Sequence, residues 1–265
     1  MYSPFQLGLR YLKYFFTASN GKGHGMHSPF VFELITKVMN DNRHFYAYEQ
    51  VEQLRTALLG DETKLTIEDF GAGSRVKKNN VRSIKDIAHS SLKPKKFGQL
   101  LFRIIAHYQP SVLLELGTSL GITTSYLASA KADAKVVTME GAKEVAATAR
   151  TNFGKLSLHN IELVEGNFDK TLPATIEKLK RIDFAFVDGN HRYEPTVRYY
   201  HSLLPAMHEH SILIFDDIHW SKEMEQAWEE IKNDSAVTLS IDLFFIGLVF
   251  FRKEQKVKQH FTIRF

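Results

Sequence analysis

The second half of the chain alternates apolar strands with helices, and this alternation limits the possible fold more than any other feature of the sequence. It opens with the apolar run Val112–Leu116, which passes through a glycine-bearing turn into a helix predicted from Thr123 onward. A strand that leads through such a turn into a helix is typical of nucleotide-type sites, because the helix N-terminus offers unpaired N–H groups. The same alternation then continues to about residue 252.

The pattern predicts a Rossmann-like α/β fold, with a seven-stranded, mostly parallel sheet and helices on both faces. The last two strands are too close for a helical crossover, so they must pair as an antiparallel hairpin. Gly247 in the last strand is interpreted as a bulge. The predicted strands are Val112–Leu116, Lys135–Glu140, Ile161–Glu165, 182–188, 211–215, 237–243 and 245–252. The predicted helices between them are 123–131, 143–153, 172–180, 194–204 and Lys222–Asn233.

The N-terminal region has a different character, and we expect residues 1–94 to form a helical extension or lid on a domain spanning 95–265. Apolar spacing predicts helices at 5–16, from Ser28-Pro29 onward, at 48–59 and at 96–107. These helices could serve as a lid, as a dimer interface between two copies of the chain, or as a partner site. The segment 68–74 imitates the glycine turn. Basic and polar residues follow it instead of an apolar helix, so we interpret it as a loop or lid.

Composition excludes several classes of protein. The 265 residues include no cysteine, which excludes disulfides, thiolate nucleophiles and cysteine zinc sites and favours a cytoplasmic location. The longest apolar run, 243–251, is too short to span a bilayer, so stable membrane insertion is not expected. The start of the chain shows no signal-peptide pattern.

The chain has a net charge of +4, and residues 71–110 carry nine basic residues but only one acid. A solvated helical face is the ordinary interpretation of such a run, and a contact surface for RNA or an anionic substrate is the alternative. Few aromatic residues are interleaved with the charges, which disfavours a platform for single-stranded nucleic acid.

Polar residues follow the ends of the predicted strands, and in a doubly wound sheet the ligand binds beyond those carboxyl ends. Glu140 lies 23 positions after Gly117, where an acid typically holds ribose hydroxyls; capping of the next helix is the alternative role. The turn contains only Gly117 and Gly121, and therefore lacks the full glycine spacing of dinucleotide enzymes. It suits a cofactor that has a ribose and a carboxylate-bearing tail but no phosphate.

The motif Glu-Leu-Gly-Thr-Ser-x-Gly-x-Thr-Thr from Glu115 onward, the acid after the second strand and the final hairpin resemble class I S-adenosylmethionine-dependent methyltransferases. Residues 186–193, Phe-Val-Asp-Gly-Asn-His-Arg-Tyr, followed by Asp216-Asp217, resemble the metal-dependent O-methyltransferases within that class. Catechol O-methyltransferases are similar, and more so the sugar and macrolide O-methyltransferases with an Asp-Gly-x-His-x-Tyr motif. The resemblance covers about residues 95–252.

The resemblance implies roles for individual residues. Glu140 would hold the ribose hydroxyls, Asn167 and Phe168 would contact the adenine, and His191 would act as general base beside the catalytic residue Asp188. The implied S-adenosylmethionine-binding set is Glu115, Gly117, Thr118, Gly121, Thr123, Glu140, Asn167, Phe168 and Asp188. The implied ligands of Mg²⁺, or of a similar divalent cation, are Asp188, Asp216 and Asp217.

Two departures from the family pattern leave parts of this assignment open. Relatives carry Asp-Asn or Glu-Asp where this chain has Asp216-Asp217, so the motif does not decide which aspartate is the ligand. Some relatives also have lysine in place of the predicted base, His191. His219 and Trp220 are candidates for the substrate pocket, and core or surface roles fit them equally well.

The leading hypothesis is an S-adenosylmethionine-dependent methyltransferase that methylates a small-molecule hydroxyl with the help of magnesium. An RNA or protein methyltransferase that docks its substrate on the basic N-terminal region is the alternative. A cofactor-binding protein without catalytic activity is a third interpretation, and the acids at the strand ends disfavour it.

Overall fold

The computed structural model describes residues 1–67 and 81–265. The turn-like segment 68–74 and the basic residues Arg75, Lys77 and Lys78 lie outside the described residues. In chain order the first elements are α1 (Pro4–Thr17), α2 (Pro29–Glu33), a π-helical turn (Leu34–Met39), α3 (Tyr46–Leu59), β1 (Lys64–Thr66), β2 (Val81–Ser83), α4 (Ile84–Ser91) and α5 (Lys95–Tyr108).

The strands and helices of the main sheet follow. They are β3 (Val112–Leu116), α6 (Ile122–Ala130), β4 (Lys135–Glu140), α7 (Lys143–Lys155), β5 (Ile161–Glu165), α8 (Phe168–Leu179), β6 (Phe184–Val187) and α9 (Tyr193–Leu203). After a 3-10 turn (Leu204–Ala206) come β7 (Ile212–Asp216), α10 (Lys222–Asn233), β8 (Leu239–Asp242), β9 (Ile246–Phe250) and β10 (Gln259–Thr262).

The main sheet has eight strands in the order β10-β8-β9-β7-β6-β3-β4-β5. This confirms the predicted Rossmann-like, mostly parallel fold, in which the seventh predicted strand, β9, is antiparallel to its neighbours β7 and β8. The eighth strand was not predicted. It is β10, which pairs in parallel with β8 and alternates half-buried with exposed residues. An edge strand of this kind lacks the apolar run that identified the other strands.

The predicted bulge at Gly247 is wrong. Gly247 pairs in regular register with Phe215 on one side and with Asp242 on the other. A side chain could not be accommodated there, because a Cβ on Gly247 would lie 2.6 Å from two atoms of the Trp228 ring. Close packing by a tryptophan, rather than an irregular strand, explains this glycine.

The chain divides into two compact units, one formed by Met1–Met39 with Ile176–Phe265 and the other by Asn40–Thr175. The domain boundary expected between residues 94 and 95 stays a prediction. In the second unit, Gly98 of α5 lies against the fully buried ring of Tyr126, and a Cβ there would come within 2.7 Å of that ring.

Helix α1 packs within the first unit through one of its faces. Ser3 and Gln6 form a capping box at its N-terminus, which satisfies backbone N–H groups that the helix leaves unpaired. Tyr14 on the packed face clusters with Ala18 and Phe244, and its hydroxyl donates to the carbonyl oxygen of Ile263 at 2.5 Å. The far end of the sequence therefore holds the first helix in place. Within the described residues, no helix has the length and apolar character needed to cross a membrane.

Candidate functional site

The turn after β3 is held by the neighbouring strand β4. The backbone N–H groups of Gly117 and Thr118 both donate to the carbonyl oxygen of Met139 at 3.0 Å. Gly121 then begins α6 with a φ of +84°, and a Cβ there would lie 2.5 Å from Phe153 of α7. The turn thus needs glycine at position 121 for its conformation and for the close approach of Phe153.

Glu115 lies in the interior of the second unit, beneath this turn. Its side chain is fully buried, and its Oε2 accepts hydrogen bonds from the hydroxyls of Thr124 and of Thr138, the latter at 2.6 Å. Because the Thr138 proton is directed to Glu115, the hydroxyl of Thr118 donates to Thr138, at 2.6 Å. Glu115 was expected to line the methionine side of the cofactor. That role stays a prediction, and the observed contacts of Glu115 tie the turn to strand β4 and helix α6.

Glu140, at the end of β4, fixes the other side of the turn. Its Oε2 accepts from the N–H of Ser119 at 2.8 Å, and its Oε1 accepts from the N–H of Ala142 at 2.9 Å. Burial raises the pKa of Glu140, and the backbone N–H groups of Ala142, Ser119 and Gly141 act in the opposite direction. The carboxylate therefore stands beside the glycine turn, where the sequence predicted the ribose-binding acid. It does not cap α7, because the N-cap of that helix, Ala142, has no side-chain cap hydrogen bond.

The predicted adenine contacts lie at the start of α8, after β5. Asn167 caps this helix, because its Oδ1 accepts from the N–H of Asp169 at 2.8 Å and its carbonyl accepts from Lys170 and Thr171. Phe168 is half-buried at the first helical position. Both residues follow the third strand of the predicted pattern, and Asn167 has a clear structural role there.

The first unit contains a separate group of polar side chains at the ends of β6 and β7. Asp188, His191 and Asp216 each offer one ligand atom, and these atoms lie within 4.8 Å of one another. The Nε2 atom of His191 is 3.4 Å from Oδ1 of Asp188, while Asp216 is almost completely buried as the last residue of β7. Two carboxylates and an imidazole at this spacing form a donor set that suits a divalent cation.

Asp217, the third predicted metal ligand, is not part of that group. It has a φ of +53°, and its backbone N–H donates to the carbonyl oxygen of Phe245 at 2.7 Å. Asn190 and His191 also have positive φ values, +69° and +32°. Residues held in this region cost about 1–3 kcal/mol each and cluster at functional sites, so the backbone near this group fits a binding site.

His219 and Trp220 follow Asp217, and both are connected to the N-terminal segment. His219 bridges Asp242 at 2.8 Å and Glu225 at 3.1 Å, and Glu225 also pairs with Arg10 of α1 at 2.5 Å. The backbone N–H of Tyr2 donates to the carbonyl of Trp220. Burial acts to lower the pKa of His219, but the hydrogen bonds and charges of Asp242 and Glu225 outweigh it and raise that pKa. These contacts favour a bracing role for His219.

Sequence reasoning missed two residues that build the glycine turn. Thr138 connects Glu115 with Thr118, and the buried amide of Asn152 donates to the carbonyl of Leu120 at 3.0 Å. The sequence did contain a signal for Thr138, which is a polar residue within the otherwise apolar center of the strand Lys135–Glu140. Buried polar groups are nearly always hydrogen-bonded, so a partner for Thr138 could have been expected.

Comparison with known families relates part of the chain to methyltransferases. Residues 114–218 match the family model described as a methyltransferase domain. This match spans 105 of the 265 residues, and over that stretch the chain is similar to methyltransferase domains. The matched part begins within β3 and ends just after Asp217, so it contains both the glycine turn and the Asp188, His191 and Asp216 group. A search of curated protein sequences found no significant match.

Solved structures of methyltransferases share the fold. The chain is similar to the SAH-bound methyltransferase PaMTH1 of Podospora anserina, with a TM-score of 0.59, 16% identity and coverage of 85% of this chain and 97% of that chain. An O-methyltransferase from Bacillus cereus in complex with SAH has a TM-score of 0.56, 19% identity and coverage of 80% and 93%. The O-methyltransferase TomG from Streptomyces achromogenes, in complex with SAM, has a TM-score of 0.56, 16% identity and coverage of 79% and 91%.

Proposed function

We propose that this chain is a methyltransferase that transfers the methyl group of S-adenosylmethionine to a hydroxyl of a small molecule, with a divalent cation bound by Asp188 and Asp216. The observation that carries the proposal is the convergence of Asp188, His191 and Asp216, whose ligand atoms lie within 4.8 Å of one another.

The residues present fit a hard cation. Mg²⁺ prefers oxygen ligands, is commonly held by one or two carboxylates and keeps several waters. Asp216 is 1% exposed, and burying a carboxylate is costly unless it is hydrogen-bonded, paired or bound to a metal. The chain has no cysteine, which removes the ligand type that favours zinc.

The second unit offers features suited to S-adenosylmethionine. The Glu140 carboxylate has acceptor positions beyond those that Ser119 and Ala142 use, so it can accept from the two ribose hydroxyls as well. The turn backbone lies beside it. The relatives PaMTH1 and TomG were solved with SAH and SAM, which supports the same cofactor for this chain.

When bound, the cation supplies Lewis-acid polarisation of a hydroxyl, which lowers the pKa of that hydroxyl, and the cofactor supplies the methyl group. In the proposed mechanism, Asp188 and Asp216 hold the cation and orient the acceptor. His191, 3.4 Å from Asp188, takes the hydroxyl proton on its imidazole ring, and the adjacent carboxylate stabilises the imidazolium that results. Glu140 would hold the ribose hydroxyls of the cofactor.

The class of acceptor follows from the same group of residues. A cation that polarises a hydroxyl favours O-methylation, and the Bacillus cereus and Streptomyces achromogenes relatives are both described as O-methyltransferases. TomG is involved in tomaymycin synthesis, which supports a small-molecule acceptor. No contact among the described residues favours RNA or protein as the substrate, and Lys77 and Lys78 lie outside the described part.

The proposal is tested by measuring S-adenosylhomocysteine release with a panel of catechols, sugars and macrolides, in the presence of Mg²⁺ and after treatment with chelator. We expect turnover with at least one of these hydroxyl compounds, its loss in chelator and its return when Mg²⁺ is added in excess. Full turnover in chelator would contradict the role of the cation, while the cofactor assignment would stand.

Replacing His191 by alanine is expected to lower the turnover rate at least tenfold, because general-base catalysis typically contributes 10²–10⁴-fold. The control is His210→Ala, since the His210 side chain is 65% exposed and 3.9 Å from its nearest acid. Mn²⁺ binding, followed by electron paramagnetic resonance, distinguishes a base from a ligand. The proposed role requires that Mn²⁺ binding persist in His191→Ala, and its disappearance would make His191 a metal ligand instead.

Replacing Glu140 by alanine is expected to weaken S-adenosylmethionine binding about 10–100-fold, which is the effect of losing hydrogen bonds to a charged group. Isothermal titration calorimetry measures this directly. Glu162→Ala serves as control, because Glu162 lies on the adjacent strand β5 in an exposed pair with Lys135 at 3.4 Å. Equal affinities of Glu140→Ala and the unmodified protein would contradict the ribose role.

A further inference from the structure

Helix α1 carries a narrow apolar stripe that is exposed in the described part of the structure. Its members are Phe5, Leu9, Leu12 and Phe16, which are 75%, 52%, 51% and 79% exposed. At 3.6 residues per turn these four positions fall within a stripe roughly 60° wide. The four residues are four, three and four positions apart, which is the spacing of the apolar seam between paired helices. The stripe is also narrower than the face that a helix usually buries against a domain core.

The opposite face of α1 is already occupied within its own unit. Tyr11 packs edge-on against Phe244 at 5.1 Å, and Arg10 pairs with Glu225. Since the stripe points away from these contacts, the helix could take on a partner without releasing any of them. A contiguous exposed apolar surface on a soluble domain commonly marks an interaction site.

The stripe is palindromic. Read in either direction, its sequence is Phe, three residues, Leu, two residues, Leu, three residues, Phe. A second copy lying antiparallel would place Phe5 against Phe16 and Leu9 against Leu12, and the twofold axis would repeat both contacts. This self-complementarity is what a twofold symmetric interface requires, where the same patch is used by both partners.

We propose that two copies of this chain associate through antiparallel pairing of their α1 helices along Phe5, Leu9, Leu12 and Phe16. Charge is compatible with this arrangement. Lys13 at the border of the stripe would face Gly8 of the other copy, and a Cβ added to Gly8 would meet no atom within 4 Å. Antiparallel helices also align their dipoles favourably.

A lipid surface is the other ligand that an apolar stripe with a flanking lysine could bind. The palindrome favours the second copy, because a bilayer imposes no symmetry on the order of the side chains. The pairing surface of one helix is smaller than the roughly 800 Å² per partner of a standard interface. We therefore expect a dimer that dissociates on dilution.

The test is multi-angle light scattering coupled to size-exclusion chromatography, over a range of loading concentrations, on the full chain and two variants. We expect the mass of the unmodified protein to move from dimer to monomer on dilution. Leu9→Lys and Leu12→Glu, each alone, should be monomeric, because a dimer of either variant would bury two unpaired charges close to the twofold axis. Their mixture should form a heterodimer, because the new lysine then faces the new glutamate.

Val257→Glu is the matched control, since Val257 is 71% exposed outside α1, and its mass should equal that of the unmodified protein. A protein that is monomeric at every concentration would overturn the proposal. So would a dimer that both variants leave intact, or a mixture that remains monomeric. Sedimentation with vesicles of phosphatidylcholine and phosphatidylglycerol completes the test. If the unmodified protein is monomeric in solution and binds the vesicles, and both variants lose that binding, the stripe is a membrane-binding surface and the proposal is overturned.

Discussion

Asp216→Asn is expected to abolish Mn²⁺ binding and to lower the rate of methyl transfer by at least about 100-fold. Mutation of a residue that only hydrogen-bonds to a metal ligand typically costs about 10–100-fold, and loss of a ligand itself should cost at least as much. The substitution keeps the size of a side chain that is 1% exposed but removes the charge that holds the cation. Electron paramagnetic resonance of added Mn²⁺ and the rate of S-adenosylhomocysteine release measure the two effects. Calorimetry with S-adenosylmethionine should show unchanged affinity, since Asp216 is not among the residues implied to bind the cofactor.

The neighbouring residue provides the matched control. Asp217→Asn has the same chemistry one position later, but Asp217 is outside the group formed by Asp188, His191 and Asp216. We expect it to retain Mn²⁺ binding and most of the activity. If Asp217→Asn instead abolished Mn²⁺ binding and Asp216→Asn did not, Asp217 would be the metal ligand.

Gly121→Ala is expected to lower the free energy of unfolding by about 2–4 kcal/mol, through a residue held at positive φ and an overpacked contact. The φ of +84° disfavours any side chain, and the new Cβ would lie 2.5 Å from Cε1 and 2.9 Å from Cζ of Phe153. Because the turn moves to relieve this contact, S-adenosylmethionine affinity should fall as well. Chemical denaturation and calorimetry measure the two quantities.

Gly154→Ala is the control for that experiment. Gly154 lies in helix α7 next to Phe153, and a Cβ there would meet no atom within 4 Å. Replacing glycine by alanine inside a helix usually stabilises a protein by about 0.5–1 kcal/mol. We therefore expect the two substitutions to have opposite signs, and a stabilising Gly121→Ala would show that the turn does not depend on glycine.

The central part of the fold could be predicted because its strands are buried on both faces. Such strands form largely apolar runs, and two of them, Val112–Leu116 and Lys135–Glu140, have the predicted bounds. The edge strand Ile161–Glu165 also has the predicted bounds, although it is only partly buried. The positions of the candidate site residues followed, since the ligands of such sheets bind beyond the strand ends. The roles of those residues came from the resemblance to methyltransferases and remain to be tested.

Other features could not be predicted, for identifiable physical reasons. Strands β1 and β2 have three residues each, too few for a hydrophobic period to be recognised. The contact between Tyr14 and Ile263 joins residues 249 positions apart, and local sequence carries no signal for it. The hydrogen bonds of Glu115 to Thr124 and Thr138 could not be predicted either, because they join separate elements, α6 and β4, to β3.

The location of α1 has a consequence for the order of events during synthesis. Residues 40–175 form a unit from one continuous stretch, so this part can complete its packing as soon as it leaves the ribosome. Residues 1–39 belong with 176–265, and Tyr14 bonds to Ile263, the third residue from the end of the described chain. Residues 1–39 are therefore made before residues 40–175 but reach their native contacts only after residues 176–265 have been made. Until then, the exposed phenylalanines and leucines of α1 are carried on a helix without its packing partners.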